Sequence, residues 1–223
     1  MNDRDSRTLK LIGEEGVSRL KKSSVLIVGV GGVGSFAAEA IARAGVGNIT
    51  VMDGDTVQPS NLNRQLVALM STLGRNKAEV MAERIRDINP ETAVTVLARF
   101  YEKDDELDLT DFDWIIDAID SVDAKTALIK TAIEKDVNIV SAMGAAGKFD
   151  TQFKVADISK TSTCPLAKVM RKRLREEGIE HLPVVYSEEK PAPRDGDLGT
   201  ISYVPGAAGL CLAGYVIKSI AVQ

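Results

Sequence analysis

The sequence is short of the residues that carry most metal, redox and proton-relay chemistry. Of its 223 residues two are cysteine and one is histidine. Cys164 and Cys211 lie 47 positions apart and no CxxC pair occurs. That excludes a zinc knuckle and a disulfide framework, and it points to a reducing compartment, read here as the cytoplasm. The lone His181, in "IEHLPVV", stands outside every nucleotide motif, so the proton relay of a hydride-transferring enzyme is missing. It is expected to face solvent or to pack. Positive charge is not in excess either: 28 basic against 32 acidic residues give a net charge of −4, so any nucleic-acid contact has to come from a local patch. The charged start "MNDRDSRTLK" lacks the apolar centre of a signal peptide. The longest uncharged run, "TISYVPGAAGLCLAGYVI" (200–217), is interrupted by Pro205, Gly206, Gly209 and Gly214 and ended by Lys218. It predicts a buried helix and leaves open a membrane tail beyond Gln223.

What the sequence does have is alternation. At 44% hydrophobic and 27% charged, the chain suits one domain over 1–223, with a nucleotide-binding half (1–147) and a substrate-side half (148–223). "SVLIVGV", "NITVMD", "AVTVLARF", "FDWIIDAID" and "VNIVSAMG" read as strands. Between them fall helix-period segments at Gly34–Ala44, Asn76–Asn89 and "AKTALIKTAIEKD". The order predicts an α/β fold with a doubly wound, mostly parallel, Rossmann-like sheet, its strands continuous in Val and Ile because both faces are covered. After Gly147 the pattern weakens to a helix opened by Pro165 in "CPLAKVMRKRLREEG" and a polar loop, "SEEKPAPRDGDLG".

Gly29, Gly31 and Gly34 have the G-x-G-x-x-G spacing between a strand and a helix. The first permits the tight turn, the second lets backbone approach phosphate, and the third packs helix on strand, with the helix N-terminus toward the anion. Asp53 follows Gly34 by 19 positions, at a strand end, where a carboxylate can accept the ribose hydroxyls. The loop after it, "DGDTVQPSNLNRQ", crowds Asn61, Asn63, Arg64 and Gln65 into five positions, and "GRNKAE" then brings Lys77 to a helix start. Arg and Lys on phosphates, with Asp120 at the end of the fourth strand to hold a metal, suit phosphoryl or nucleotidyl transfer. Taken singly, Arg64 could be a surface ion pair and Asp120 a cap for a helix beginning near Ala124.

Together, G-x-G-G-x-G, D-x-D-x-V-x-x-S-N-L-N-R-Q, the downstream lysine and the strand-end aspartate resemble the ubiquitin-activating-enzyme-like adenylating family, which includes the enzymes that activate molybdopterin and thiamine sulfur carriers. The resemblance implies ATP and Mg²⁺, attack of a carboxylate on the α-phosphate, and an acyl adenylate. Carried over by position, Gly29, Gly31, Gly32 and Gly34 would cradle the nucleotide, with Asp53 on the ribose beside Asp55. Asn61, Arg64 and Lys77 would hold phosphates, and Gln65 would support Arg64. Asp120 would bind Mg²⁺. Arg7, in "SRTLKLIGEEG", matches an arginine that reaches into the other subunit's site, which implies a homodimer.

The second half resembles the tRNA threonylcarbamoyladenosine dehydratase branch, through "SAMGAAGKFD", "DISKTSTCPLAKVMRKRLREEGI", "VVYSEEKP" and "LGTISYVPGAAGLCLAGYVIKSI". That implies adenylation of the threonylcarbamoyl carboxylate on tRNA, ring closure by the modification's own nitrogen or oxygen, and release of AMP. No cysteine nucleophile is needed, because the attack is intramolecular; Cys164 is read as structural. Two alternatives stay open: an adenylyltransferase for a small ubiquitin-like sulfur carrier, and a catalytically silent interaction module. A sulfur-transfer partner protein is a further expectation from the family's neighbours. For an acidic protein to hold tRNA, "KVMRKRLR" offers Lys168, Lys172 and Arg175 at i, i+4 and i+7, with Arg171 beside them and Arg194 on the following loop. Val169, Met170 and Leu174 are expected to dock that helix.

Overall fold

Val- and Ile-rich runs form the parallel centre of a seven-stranded sheet in the computed structural model, which describes residues 3–192 and 198–222. These are β1 (Ser24–Val28), β2 (Asn48–Met52), β3 (Ala93–Leu97), β4 (Trp114–Asp117) and β5 (Asn138–Ala142). Two short strands from the second half, β6 (Lys154–Asp157) and β7 (Pro183–Tyr186), extend the same sheet. The order is β3-β2-β1-β4-β5-β7-β6, parallel throughout except for the antiparallel pair β6–β7 at the edge. Strand order reverses between β1 and β4, which opens a crevice beyond their C-terminal ends.

Among the described residues six α-helices flank the sheet: α1 (Ser6–Lys22), α2 (Gly34–Ala44), α3 (Lys77–Ile88), α4 (Val122–Glu134), α5 (Pro165–Glu176) and α6 (Tyr203–Ala221). Val25 and Ile27 of β1 face one core with Ile41 of α2, Met81 of α3 and Leu212 of α6. Leu26 and Val28 face the other with Leu128 of α4 and Met170 of α5. Burial on both sides is the reason these strands read as unbroken apolar runs.

The uncharged run near the C-terminus is α6, and its Val204, Ala208, Leu212, Val216 and Ile220 pack in the first core. By length and composition it is the one helix among the described residues able to cross a membrane, and just over half of its apolar window is buried. Pro205 sits in its first turn, where a missing N–H costs nothing. Gly209 allows α6 to lie directly on the start of α2: a Cβ there would sit 2.2 Å from the Val33 carbonyl oxygen.

Several elements differ from the expectations. α1, β6 and β7 have no counterpart in the sequence reading. α1 is kinked at Gly13 (φ 71°, ψ 175°), which breaks its period. β3 stops at Leu97, so Arg99, Phe100 and Tyr101 leave the sheet. α4 starts at Val122, capped by the Ser121 Oγ, which accepts from the Ala124 N–H; Asp120 is therefore not its cap. α5 docks through Ala167, Met170 and Leu174, while Val169 is 45% exposed, because the helical period turns it a quarter-circle or more away from that face.

At the end of β4 lies a fully buried ion pair. Lys125 Nζ of α4 donates to Asp117 Oδ2 at 2.7 Å, to Ser141 Oγ at 3.1 Å and to the Ala142 carbonyl at 3.1 Å. The Ser141 hydroxyl donates to the same carboxylate oxygen at 2.5 Å, and the Ile119 N–H to the other at 3.1 Å. All three protons of the ammonium are thus spent on β4 and β5. Lys125→Met should lower the unfolding free energy by about 3–5 kcal/mol in urea titration, because Asp117 is left buried without its cation. The Asp117→Leu/Lys125→Met double variant should recover part of that loss. Gly209→Val should destabilise by at least about 1–3 kcal/mol, since the added carbons have no room beside Val33.

Candidate active site

The crevice at the β1–β4 reversal holds a cavity of about 440 Å³. Its floor is the loop between β1 and α2. Gly34 closes that loop: a Cβ at this position would fall 1.7 Å from the Gly29 carbonyl oxygen. Gly29 itself has φ +86°, a backbone state that side chains disfavour. Gly29, Gly31 and Gly32 line the cavity, whereas Gly34 lies beneath it as a packing residue. No side chain caps the N-terminus of α2; the Ser35 N–H turns back to the Gly31 carbonyl at 3.1 Å, and the Gly34 N–H is left for an anion.

Asp53 braces this loop from the end of β2. Its carboxylate accepts from the Val30 N–H and from the Asp55 N–H, each at 2.8 Å. Burial pushes the Asp53 carboxyl above the usual carboxylate range, although both amide bonds and the nearby Lys77 act against that shift. Lys77, at the first position of α3, is buried and places Nζ 2.9 Å from Asp55 Oδ2. The helix start that carries it is built by Asn76, whose Oδ1 accepts from Ala78 and Glu79 N–H, and by the Lys77 N–H donating to the Asp55 carbonyl.

The motif residues after Asp55 divide by role. Arg64 lines the cavity, and its guanidinium donates to the Ser60 carbonyl and to Asn63 Oδ1, both at 2.9 Å, with no carboxylate partner among the described residues. Asn61 does not line it: its Oδ1 accepts from the Gln58 N–H at 2.9 Å, and its carbonyl accepts from the Arg64 and Gln65 N–H groups. It shapes the turn that presents Arg64. Gln65 lines the cavity beside Gly31 but makes no hydrogen bond to Arg64; its Oε1 is buried without a partner. Ser35 ties this loop to the glycine loop, donating to the Gly31 carbonyl at 2.6 Å and accepting from the Leu66 N–H at 3.3 Å.

Across the cavity, Asp120 is exposed and forms neither a hydrogen bond nor an ion pair among the described residues. Among the described residues no group of three or more His, Cys, Asp or Glu side chains could cage a metal. A lone free carboxylate fits Mg²⁺, which takes one or two carboxylates and completes its shell with phosphate oxygens and water. Phe100 and Tyr101 also line the cavity, with Arg99, which pairs bidentately with Asp105. Nothing in the sequence marks these three; only the early end of β3 brings them here. Thr200 and Pro205 close the opposite edge, and the Asn63 side chain holds the Thr200 carbonyl at 3.0 Å.

The remaining candidates lie elsewhere. Arg7 is exposed on α1 and does not line its own chain's cavity. Lys168, Lys172 and Arg175 are exposed on α5, and Arg171 is turned inward onto Thr161. Arg194 lies outside the described residues. Cys164 is buried in the second core, Cys211 is half-buried with its thiol pushed up by burial, and His181 faces solvent 3.2 Å from Asp157.

Known proteins are similar to this chain in sequence and fold. A tRNA threonylcarbamoyladenosine dehydratase from Bacillus subtilis (strain 168) is 43% identical over 237 residues, covering 96% of this chain and 93% of its own length. The enzyme of that name from Escherichia coli (strain K12) is 45% identical over 173 residues, covering 76% of this chain; the match spans 65% of that relative. The crystal structure of the E. coli tRNA N6-threonylcarbamoyladenosine dehydratase, TcdA, in complex with AMP superposes with a TM-score of 0.93 at 38% identity, covering 98% of this chain and 94% of that one. Its complex with ATP gives a TM-score of 0.92. The sequence match extends from the start of the first helical segment past the last helix, over residues 3–223, and takes in every side chain that lines the cavity: the chain belongs to the ThiF family.

Proposed function

We propose that this chain is an ATP-dependent dehydratase acting on tRNA that carries threonylcarbamoyladenosine. The observation that carries the reading is the company kept by the glycine loop. A dehydrogenase would need a hydride site and a relay; here the loop faces Arg64, Lys77 and an unpaired Asp120, the groups that phosphate transfer requires.

The α2 N-terminus and the glycine loop receive the α-phosphate, and Arg64 and Lys77 offset its charge. Asp53 takes the ribose. A carboxylate oxygen of the threonylcarbamoyl group attacks the α-phosphorus, and the bond to the oxygen bridging to the β-phosphate breaks, so pyrophosphate leaves with those electrons. The resulting acyl adenylate is attacked at its carbonyl carbon by the modification's own nitrogen or oxygen; the ring closes and AMP departs. Both partners of the second step belong to one molecule, so proximity supplies the advantage and no thiol takes part. That agrees with the burial of Cys164. Mg²⁺, when bound, neutralises phosphate charge, and Asp120 is the side chain that would hold it.

The active unit in this reading is a homodimer. Arg7 projects from α1 without a hydrogen bond or ion pair among the described residues, and Leu11 on the same helix is 86% exposed. α6, which packs beside α1, leaves Leu210 exposed as well. Exposed leucines on α1 and α6, with an unpartnered arginine on α1, suit a second copy that receives the arginine in its nucleotide site.

Arg64→Ala and Asp120→Ala should each lower AMP release with modified tRNA by about 10²-fold or more, since both act on charge that develops in the transition state. Turnover equal to that of the unaltered enzyme in both variants would remove the adenylation assignment. Arg7→Ala and Asp53→Ala should each be inactive alone, yet mixing them should restore part of the activity after subunit exchange, because one interface of each heterodimer keeps both residues. Native mass spectrometry that detects heterodimers without any recovered turnover would exclude a shared site.

A further inference from the structure

A tRNA ligand needs a cationic surface, and a chain with net charge −4 can supply one only locally. α5 supplies it. Its inner face, Ala167, Met170 and Leu174, is buried in the second core, which turns Lys168, Lys172 and Arg175 outward along one stripe. Among the described residues Lys168 and Arg175 have no acidic partner, and Lys172 reaches Glu176 only at 3.8 Å. Other cations nearby are already spent: Arg173 lies 3.3 Å from Asp123, and Lys130 lies 2.6 Å from Glu177.

Arg171 is different from its neighbours. Its guanidinium donates to the Thr161 carbonyl at 2.9 Å, to the Thr161 hydroxyl oxygen at 2.5 Å and to the Ile158 carbonyl at 3.3 Å. It anchors the turn before α5 and lines, with Lys168, Lys172, Arg175 and a single acid, Glu176, an open depression of about 450 Å³.

The position of the stripe relative to the cavity gives it meaning. Cys164, the N-cap of α5, places Sγ 3.5 Å from where a Cβ on Gly144 would stand, and the next residue, Ala145, lines the nucleotide cavity. Lys168 lies one turn beyond Cys164, and the stripe then runs roughly 10 Å to Arg175 at 1.5 Å per residue. We propose that this face of α5 binds the phosphate backbone of tRNA beside the modified adenosine, so that the backbone is held on the helix while the carboxylate enters past Ala145. The inference rests on the function proposed above and goes beyond it by assigning the surface.

The test is tRNA binding by the Lys168→Ala/Lys172→Ala/Arg175→Ala variant across a salt series, with ATP affinity measured in parallel. Expected are a loss of affinity of about tenfold or more and a salt slope reduced by roughly 2 to 3, with ATP affinity retained. The single reversal Lys172→Glu should shift affinity in the same direction, and Arg173→Ala, on a side chain already paired, should not. If the unaltered protein releases AMP with modified tRNA and the triple variant matches its affinity and slope, the surface assignment is overturned while the function stands. If the unaltered protein binds ATP but neither binds modified tRNA nor releases AMP with it, the function falls and this inference with it. A triple variant that loses binding to anionic lipid vesicles but keeps its tRNA affinity also overturns the proposal, in favour of a membrane contact.

Discussion

The buried lysine at the end of β4 is the constraint on which the site depends. Lys125 and Asp117 cannot be separated without leaving a bare charge in the core, so β4, β5 and the first turns of α4 must take one mutual arrangement. Such a pair adds little net stability over apolar residues of similar volume; its effect is on geometry. Asp117 receives the Ile119 N–H, which starts the loop in a set direction, and Ser121 then satisfies the helix end. Asp120 lies between Ile119, whose N–H is spent on Asp117, and Ser121, whose hydroxyl caps α4, and its own carboxylate has no partner among the described residues.

The same logic operates on the other wall. A buried Lys77 needs a counter-charge whether or not phosphate is present, and Asp55 supplies it from the rim. Asp53 is held by two amide groups, one from the glycine loop and one from its own strand end, so that loop and acid are a single hydrogen-bonded unit. Ser35 extends this unit to the turn that carries Arg64. The cavity is therefore lined by charges held from within the protein, Asp53 by backbone amides and Lys77 by Asp55.

Much of this was legible in the sequence where local pattern and tertiary outcome coincide. The strand β1, the glycine turn and α2 are contiguous, and Asn76 to Asn89 carries its own caps, so those elements fall within a residue or two of their expected limits. Arg64, Lys77, Asp53 and Asp120 do converge on one cavity. Asn61 and Gln65 are polar residues in the same motif whose roles motif spacing could not resolve, because a side chain that builds a turn and one that touches a ligand have the same composition. β6 and β7 were hidden for another reason. They are four residues long, one opens with proline, and the edge strand carries Lys154 and Asp157 in place of an apolar run. Lys125 was missed because a lysine within a helical pattern reads as solvated, and nothing local reveals that its neighbours are strand ends. Arg99, Phe100 and Tyr101 depend on where β3 stops, which its sequence does not mark.

Pro205 and Thr200 share the cavity with Gly29 and Gly32, and Gly209 rests on the helix that begins at the glycine loop. Residues near opposite ends of the chain are thus parts of one small structure. During synthesis the β1–α2 turn emerges early, but the wall that completes it arrives only after some 170 further residues have been made, roughly ten seconds or more at common elongation rates. Until α6 docks, the first core lacks Leu212 and Val216 and the N-terminal half shows an apolar flank to its surroundings. The contacts that make the nucleotide loop a site join residues far apart in the sequence, so closing that distance delays folding and competence together.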